Sequence, residues 1–92
     1  MISNLEIGNL IKMKSTTTVA NLNLVSKQEN GLFNRTYYWN NVDHYNIFCV
    51  VKIFAYNDNV SENYCILFNI TNNEYYYIEY GLLNAFQFQK IE

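Results

Sequence analysis

The chain has 92 residues and a mass of 10.9 kDa, enough for one domain with one hydrophobic core. Half of the residues are hydrophobic and 17% are aromatic, which argues against an intrinsically disordered chain. Six basic against eight acidic side chains give a net charge of −2, so a protein built to follow a nucleic-acid backbone is not expected.

The elements follow from period-two alternation, the pattern of half-buried strands. In Leu10 to Lys14, Ile11 and Met13 share one face and Lys12 and Lys14 the other. Val19 to Val25 alternates again, with Asn21 and Asn23 opposite Leu22 and Leu24. Ser26 to Asn34 reads as a polar loop. Arg35 to Trp39 is rich in strand formers, and Asn40, Asn41 and Asp43 signal a turn. Ile47 to Tyr56 is the strongest strand. With Lys52 towards water, its core residues would be Ile47, Cys49, Val51, Ile53 and Ala55. Asn57-Asp58-Asn59 opens a loop that ends near Asn63.

Tyr64 to Ile70 forms the next strand. Thr71-Asn72-Asn73 signals a tight turn, because asparagine tolerates positive φ. Glu74 to Tyr80 returns with Tyr76, Ile78 and Tyr80 on one face and Tyr75, Tyr77 and Glu79 on the other. Gly81 breaks this strand, and a short helical turn fits residues 81–84. Ala85 to Ile91 supplies a last strand, with Phe86 and Phe88 on one side. The pattern predicts an all-β domain over residues 1–92. Six or seven short strands would form a small barrel or a tightly coiled antiparallel meander. Closure or coiling hides strand edges, which are a hazard in a chain so rich in Tyr, Ile and Phe.

The segment Ile7-Gly8-Asn9-Leu10-Ile11-Lys12-Met13-Lys14 resembles the opening strand of small Src-homology-3-like barrels, with Asn9 where Asp is commoner. The runs Val50-Val51-Lys52-Ile53, Tyr64-Cys65-Ile66-Leu67-Phe68 and Tyr75-Tyr76-Tyr77-Ile78-Glu79-Tyr80-Gly81-Leu82 resemble small uncharacterised barrel proteins of bacteriophages. The resemblance spans residues 7–14 and 47–82 and implies a barrel without an agreed chemistry. Residues 15–46 depart from it. Composition points the same way. The chain holds 16 Asn, 9 Ile, 9 Tyr, 6 Phe and 5 Lys, the residues of AT-rich codons, as in many viruses and low-GC bacteria.

Catalytic signatures do not assemble. His44 is the single histidine, beside Asp43 and Tyr45, and neighbours in sequence usually point apart. Cys49 and Cys65 with one histidine lack metal-ligand spacing, and neither a metal nor a cofactor is expected. A hairpin centred near residue 60 sets Cys65 opposite residue 55 and Cys49 opposite residue 71. That separation is too great for a disulfide, so two reduced, buried thiols are expected. Gly8, Gly31 and Gly81 form no phosphate loop, and Glu74 and Glu79 fall on opposite faces of their strand. The expectation is a non-enzymatic protein.

The aromatic clusters are the functional lead. Tyr37, Tyr38, Trp39 and Tyr45, with Tyr75 and Tyr77, form the expected interaction surface, since exposed Tyr and Trp are favoured at interfaces. Cross-strand aromatic pairing that merely stabilises a sheet is the competing explanation. The expected partner is a viral or host protein, or a second copy of the chain, with nucleic acid disfavoured and no membrane segment in view. A virion accessory or assembly factor fits, as does an inhibitor of a host defence system or host enzyme. A platform that stacks single-stranded bases or a small ligand is a third option. With no secretory signal at the N-terminus, the expected location is the host cytoplasm or the virion.

Overall fold

A computed structural model describes residues 4–54 and 63–91. Seven strands form one antiparallel sheet: β1 (Leu10–Met13), β2 (Ala20–Lys27), β3 (Phe33–Val42), β4 (Phe48–Phe54), β5 (Tyr64–Asn69), β6 (Glu74–Glu79) and β7 (Phe88–Lys90). A short helix, α1 (Tyr80–Ala85), links the last two. Spatial order is β3-β2-β6-β5-β4-β1-β7, so the β4-β5-β6 meander is flanked by the β2-β3 hairpin on one side and by β1 and β7 on the other. The all-β architecture expected from the alternation is what the chain adopts. No helix among the described residues is long and apolar enough to cross a membrane.

The sheet coils about a single core, to which every strand and α1 contribute. Ile11 and Met13 come from β1, Ala20 and Leu22 from β2, Val42 from β3, and Phe48 and Val50 from β4. Cys65 and Leu67 of β5, Tyr76 and Ile78 of β6, Leu83 of α1 and Phe88 of β7 complete it. Phe48 is its hub, edge-on to both Tyr76 at 6.1 Å and Phe88 at 5.6 Å between ring centroids. A buried tyrosine needs a partner for its hydroxyl. The Tyr76 oxygen accepts from Asn72 Nδ2 at 3.0 Å and from Asn40 Nδ2 at 3.2 Å.

Local chemistry explains the turns. The 69–74 turn is tied by Asn69 Oδ1, which accepts from the backbone N–H of Thr71 and Asn72. Asn73 takes the left-handed conformation at φ 63°, the role predicted for asparagine there. Before β1, Gly8 sits at φ 95° and donates its N–H to the Val50 carbonyl at 2.7 Å. A side chain there would be strained, so this glycine is set by the backbone.

Several predicted details are corrected. In β4 the core residues are Phe48 and Val50, fully buried, whereas Ile47 is exposed and Cys49 and Val51 are half-buried. The pairing jumps from Val50↔Leu67 to Lys52↔Ile66, which leaves Val51 as an extra residue. This bulge reverses the alternation, and Ile53 then packs against the core as expected. Ala55, Tyr56 and the predicted 57–59 loop lie outside the described residues.

Second, Asn40 and Asn41 do not turn. Each has a cross-strand side-chain partner, Tyr76 and Asn21 respectively, so β3 continues to Val42. The turn falls at 43–46, where Asp43 N–H donates to Asn46 Oδ1 and Tyr45 N–H to Asp43 Oδ1. Phe33 and Asn34 likewise belong to β3 rather than to the preceding loop. Third, Tyr80 begins α1 instead of ending β6, and packs at the margin of the core.

Both cysteines are free. Cys65 pairs with Ile53 and points into the core, and Cys49 pairs with Phe68 on the other face of the sheet. The expected lack of a bridge therefore has a stronger cause than distance. Cys49 is only half-buried, which corrects the expectation of two buried thiols.

Two measurements test this arrangement. Phe48→Ala removes the hub ring and should cost about 3–5 kcal/mol in urea unfolding, whereas Ile47→Ala should cost less than about 1 kcal/mol. The phase read from the sequence demands the reverse order. Desolvation pushes the Cys65 thiol up to about 12. Burial, followed by the charge of Cys65, raises Tyr80 as well. The folded state thus favours the protonated forms. Their contribution is intact below the ordinary thiol range and is lost as pH rises from about 9 towards about 12. The urea midpoint should fall between about pH 8 and about pH 10, and fall less in Cys65→Ala. At about pH 8 a thiol reagent should modify Cys49 before Cys65.

Candidate functional site: an aromatic bulge held by Asn23

The face of the sheet opposite the core is not a plain polar surface. Successive strands place Val25, Tyr75, Phe68 and Cys49 in one outer row. The next row holds Trp39, Asn23, Tyr77, Ile66 and Lys52. Rings in neighbouring positions touch. Tyr75 meets Phe33 at 5.3 Å and Phe68 at 4.9 Å, and Tyr64 meets Tyr77 at 4.7 Å and Phe54 at 4.4 Å. Each such pair contributes about 0.5–1.5 kcal/mol beyond the area it buries.

Cations lie across these rings. Lys27 Nζ stands 5.8 Å from the Tyr75 centroid, and Lys52 Nζ stands 5.0 Å from Phe54 and 5.9 Å from Phe33. The Arg35 guanidinium carbon is 4.1 Å from the centroid of Tyr77. Tyr75 and Tyr77, two of the six predicted surface residues, are therefore half-buried members of a cross-strand ladder.

The other four are exposed, and three of them are gathered by an irregularity in β3. Pairing runs regularly to Asn23↔Trp39 and resumes at Val25↔Arg35. Between those pairs β2 has only Leu24, while β3 has Thr36, Tyr37 and Tyr38. Surplus backbone of this kind needs partners for its polar groups.

Asn23 supplies them. Its side chain is 1% exposed and all of its bonds converge on the bulge. Nδ2 donates to the Thr36 carbonyl at 2.9 Å and to the Tyr38 carbonyl at 3.1 Å, and Oδ1 accepts from Arg35 Nε at 2.8 Å. Thr36 Oγ1 donates to the Leu24 carbonyl at 2.8 Å and accepts the Tyr38 N–H at 3.1 Å.

The consequence is a fixed bulge that turns Tyr37, Tyr38 and Trp39 to solvent. Tyr37 is 99% exposed, Tyr38 72% and Trp39 52%. A shallow, open cleft lies beside the bulge, lined by Asn23, Arg35, Thr36, Tyr37 and Trp39. Tyr45 is also exposed, but it sits in the β3–β4 turn, with its ring against His44 at 3.9 Å.

His44 Nδ1 is buried without a hydrogen-bond partner, and Asp43 Oδ1 is taken by the Tyr45 N–H. Among the described residues, no three His, Cys, Asp or Glu side chains come together in a way that could hold a metal ion. The comparisons with known proteins give no match to a family model, a curated protein or a solved structure.

Sequence reasoning missed Asn23 and the cleft. Asn21 and Asn23 occupy equivalent positions in the alternation, and only the bulge opposite Asn23 buries it. Asn23→Ala removes three hydrogen bonds and leaves two carbonyls to find water. The expected cost is about 1–3 kcal/mol in urea unfolding, with faster hydrogen exchange at the Tyr38 amide. Asn21→Ala, which loses one exposed bond to Asn41, should change stability by less than about 0.5 kcal/mol.

Proposed function

We propose that this chain is a non-enzymatic protein-binding module, and that Tyr37, Tyr38 and Trp39 on the β3 bulge form the centre of its contact surface. The observation that carries the reading is large apolar exposure on a rigid support. Three consecutive aromatic residues face solvent while hydrogen bonds from the buried Asn23 side chain fix the backbone beneath them. Aromatic side chains held this way lose little entropy on binding, which is why they dominate interface hot spots. Tyr75 and Tyr77 serve as the support of this surface, and Tyr45 extends it along the β3–β4 turn.

The AT-rich residue usage and the resemblance to small Src-homology-3-like barrels support a bacteriophage or other viral origin. In that setting the module is a virion accessory or assembly protein, acting in the host cytoplasm or in the particle. Inhibition of a host defence system or host enzyme would use the same surface.

The reading is tested with tagged protein produced in its host. Tyr37→Ala and Trp39→Ala should each leave the melting temperature nearly unchanged, because exposed side chains contribute little to stability. Each should lower recovery of the specific partner at least tenfold, the loss typical of a hot spot. Tyr77→Ala should instead lower the melting temperature, because it removes ring and cation contacts within the sheet. Unchanged partner recovery by both Tyr37→Ala and Trp39→Ala would refute the assignment.

A further inference from the structure

The cleft of the bulge has a charge that the proposed contact surface leaves unused. Arg35 is the only arginine of the chain and Trp39 the only tryptophan, and both line this cleft. The guanidinium is held in place twice, by Nε donation to Asn23 Oδ1 at 2.8 Å and by the Tyr77 face at 4.1 Å. Its terminal Nη hydrogens meet no acceptor among the described residues, and no carboxylate pairs with it there.

A planar guanidinium with one edge fixed and the other open is arranged for two parallel bonds to a carboxylate. Lys27 and Lys52 also lie on this face over aromatic rings. Among the described residues of the paired outer rows, Glu79, opposite Tyr64, is the only acidic one. A chain that is acidic as a whole therefore presents a locally cationic face beside its exposed aromatics.

Resting on the binding-module reading, we propose that this cleft recognises a carboxylate side chain, Asp or Glu, carried by an extended segment of the partner protein. The carboxylate sits on the Nη edge of Arg35, between Tyr37 and Trp39. The neighbouring residues of the segment run along β3. That strand ends the sheet, paired on one side with β2, with no further strand beyond it among the described residues. The bulge interrupts that edge at residues 36–38, so an extended peptide would pair its backbone with the regular stretches of β3 on either side of it. Three cations on a chain of net charge −2 are a poor track for a phosphodiester backbone.

The test begins with a yeast-displayed library of random twelve-residue peptides, selected on the full-length protein and counter-selected on Trp39→Ala. Selected peptides should share an Asp or Glu flanked by residues of high strand propensity. The leading peptide and its Gln or Asn counterpart are then titrated against the protein, with Trp39 fluorescence as the readout. Replacing the peptide carboxylate should weaken binding at least tenfold, and Arg35→Gln should abolish the difference between the two peptides. Arg35→Lys, which keeps the charge without the fork, should recover only part of it.

Peptides that bind through Trp39 with no acidic preference would overturn the carboxylate inference and leave the binding-module reading standing. Selection of no Trp39-dependent peptide would count against both. An oligothymidylate that shifts Trp39 fluorescence more strongly than the leading peptide would overturn the inference in favour of single-stranded nucleic acid.

Discussion

The architecture of the exposed surface rests on one buried amide. Asn23 lies on the outer face of β2, a position that alternation assigns to water, yet it is almost fully enclosed. Enclosure comes from the bulge it organises: its donors hold the Thr36 and Tyr38 carbonyls, and its acceptor holds Arg35. A buried asparagine that left these capacities unmet would be costly, and here both ends are used. No aliphatic residue of similar size could replace it, because two carbonyls and a guanidinium would lose their partner at once. The amide thus couples sheet stability to the presentation of Tyr37, Tyr38 and Trp39.

The abundance of tyrosine follows from a sheet that is covered on both faces. On the inner side, Tyr76 fills space beside Phe48 and sends its hydroxyl to two asparagines at the edge of the core. On the outer side, Tyr75, Tyr77 and Tyr64 join Phe33, Phe54 and Phe68 in a ladder capped by Lys27, Arg35 and Lys52. The Lys27 and Lys52 ammonium groups themselves stand over ring faces, where cation–π attraction holds them. Val25 and Ile66 are buried beneath this ladder without belonging to the main core. A small chain gains a second hydrophobic layer in this way, useful where one core alone is marginal. That layer also forms a firm base for the bulge, since Arg35 touches both Tyr77 and Asn23.

The sequence was most legible where one face of a strand is polar. Ile11 and Met13 against Lys12 and Lys14, or Tyr76 and Ile78 against Glu79, leave one choice of inward side, and the fold takes it. Thr71-Asn72-Asn73 was legible because its chemistry is local: a side-chain amide accepting nearby N–H groups and a residue at positive φ. Residues 47–54 were ambiguous because both faces are apolar, and the bulge at Val51 breaks a phase that Lys52 alone could not set. Asn40 and Asn41 misled for the opposite reason. They resemble turn residues, but distant partners, Tyr76 and Asn21, keep them in the strand. Of the six aromatic site residues, the exposure of Tyr37, Tyr38, Trp39 and Tyr45 agrees with the reading of an outward aromatic surface. The partial burial of Tyr75 and Tyr77 depends on cross-strand neighbours that no local pattern contains.

The central claim, that the Asn23 side chain is a buried clamp on β3, can be read directly from its own amide hydrogens. In a ¹⁵N-resolved hydrogen-exchange experiment on the unaltered protein, both Nδ2 hydrogens of Asn23 should exchange far more slowly than those of Asn30, which stands exposed in the β2–β3 loop. Asn23 amide hydrogens that exchange as fast as those of Asn30 would show that the clamp is not formed, and the account of the bulge would be contradicted.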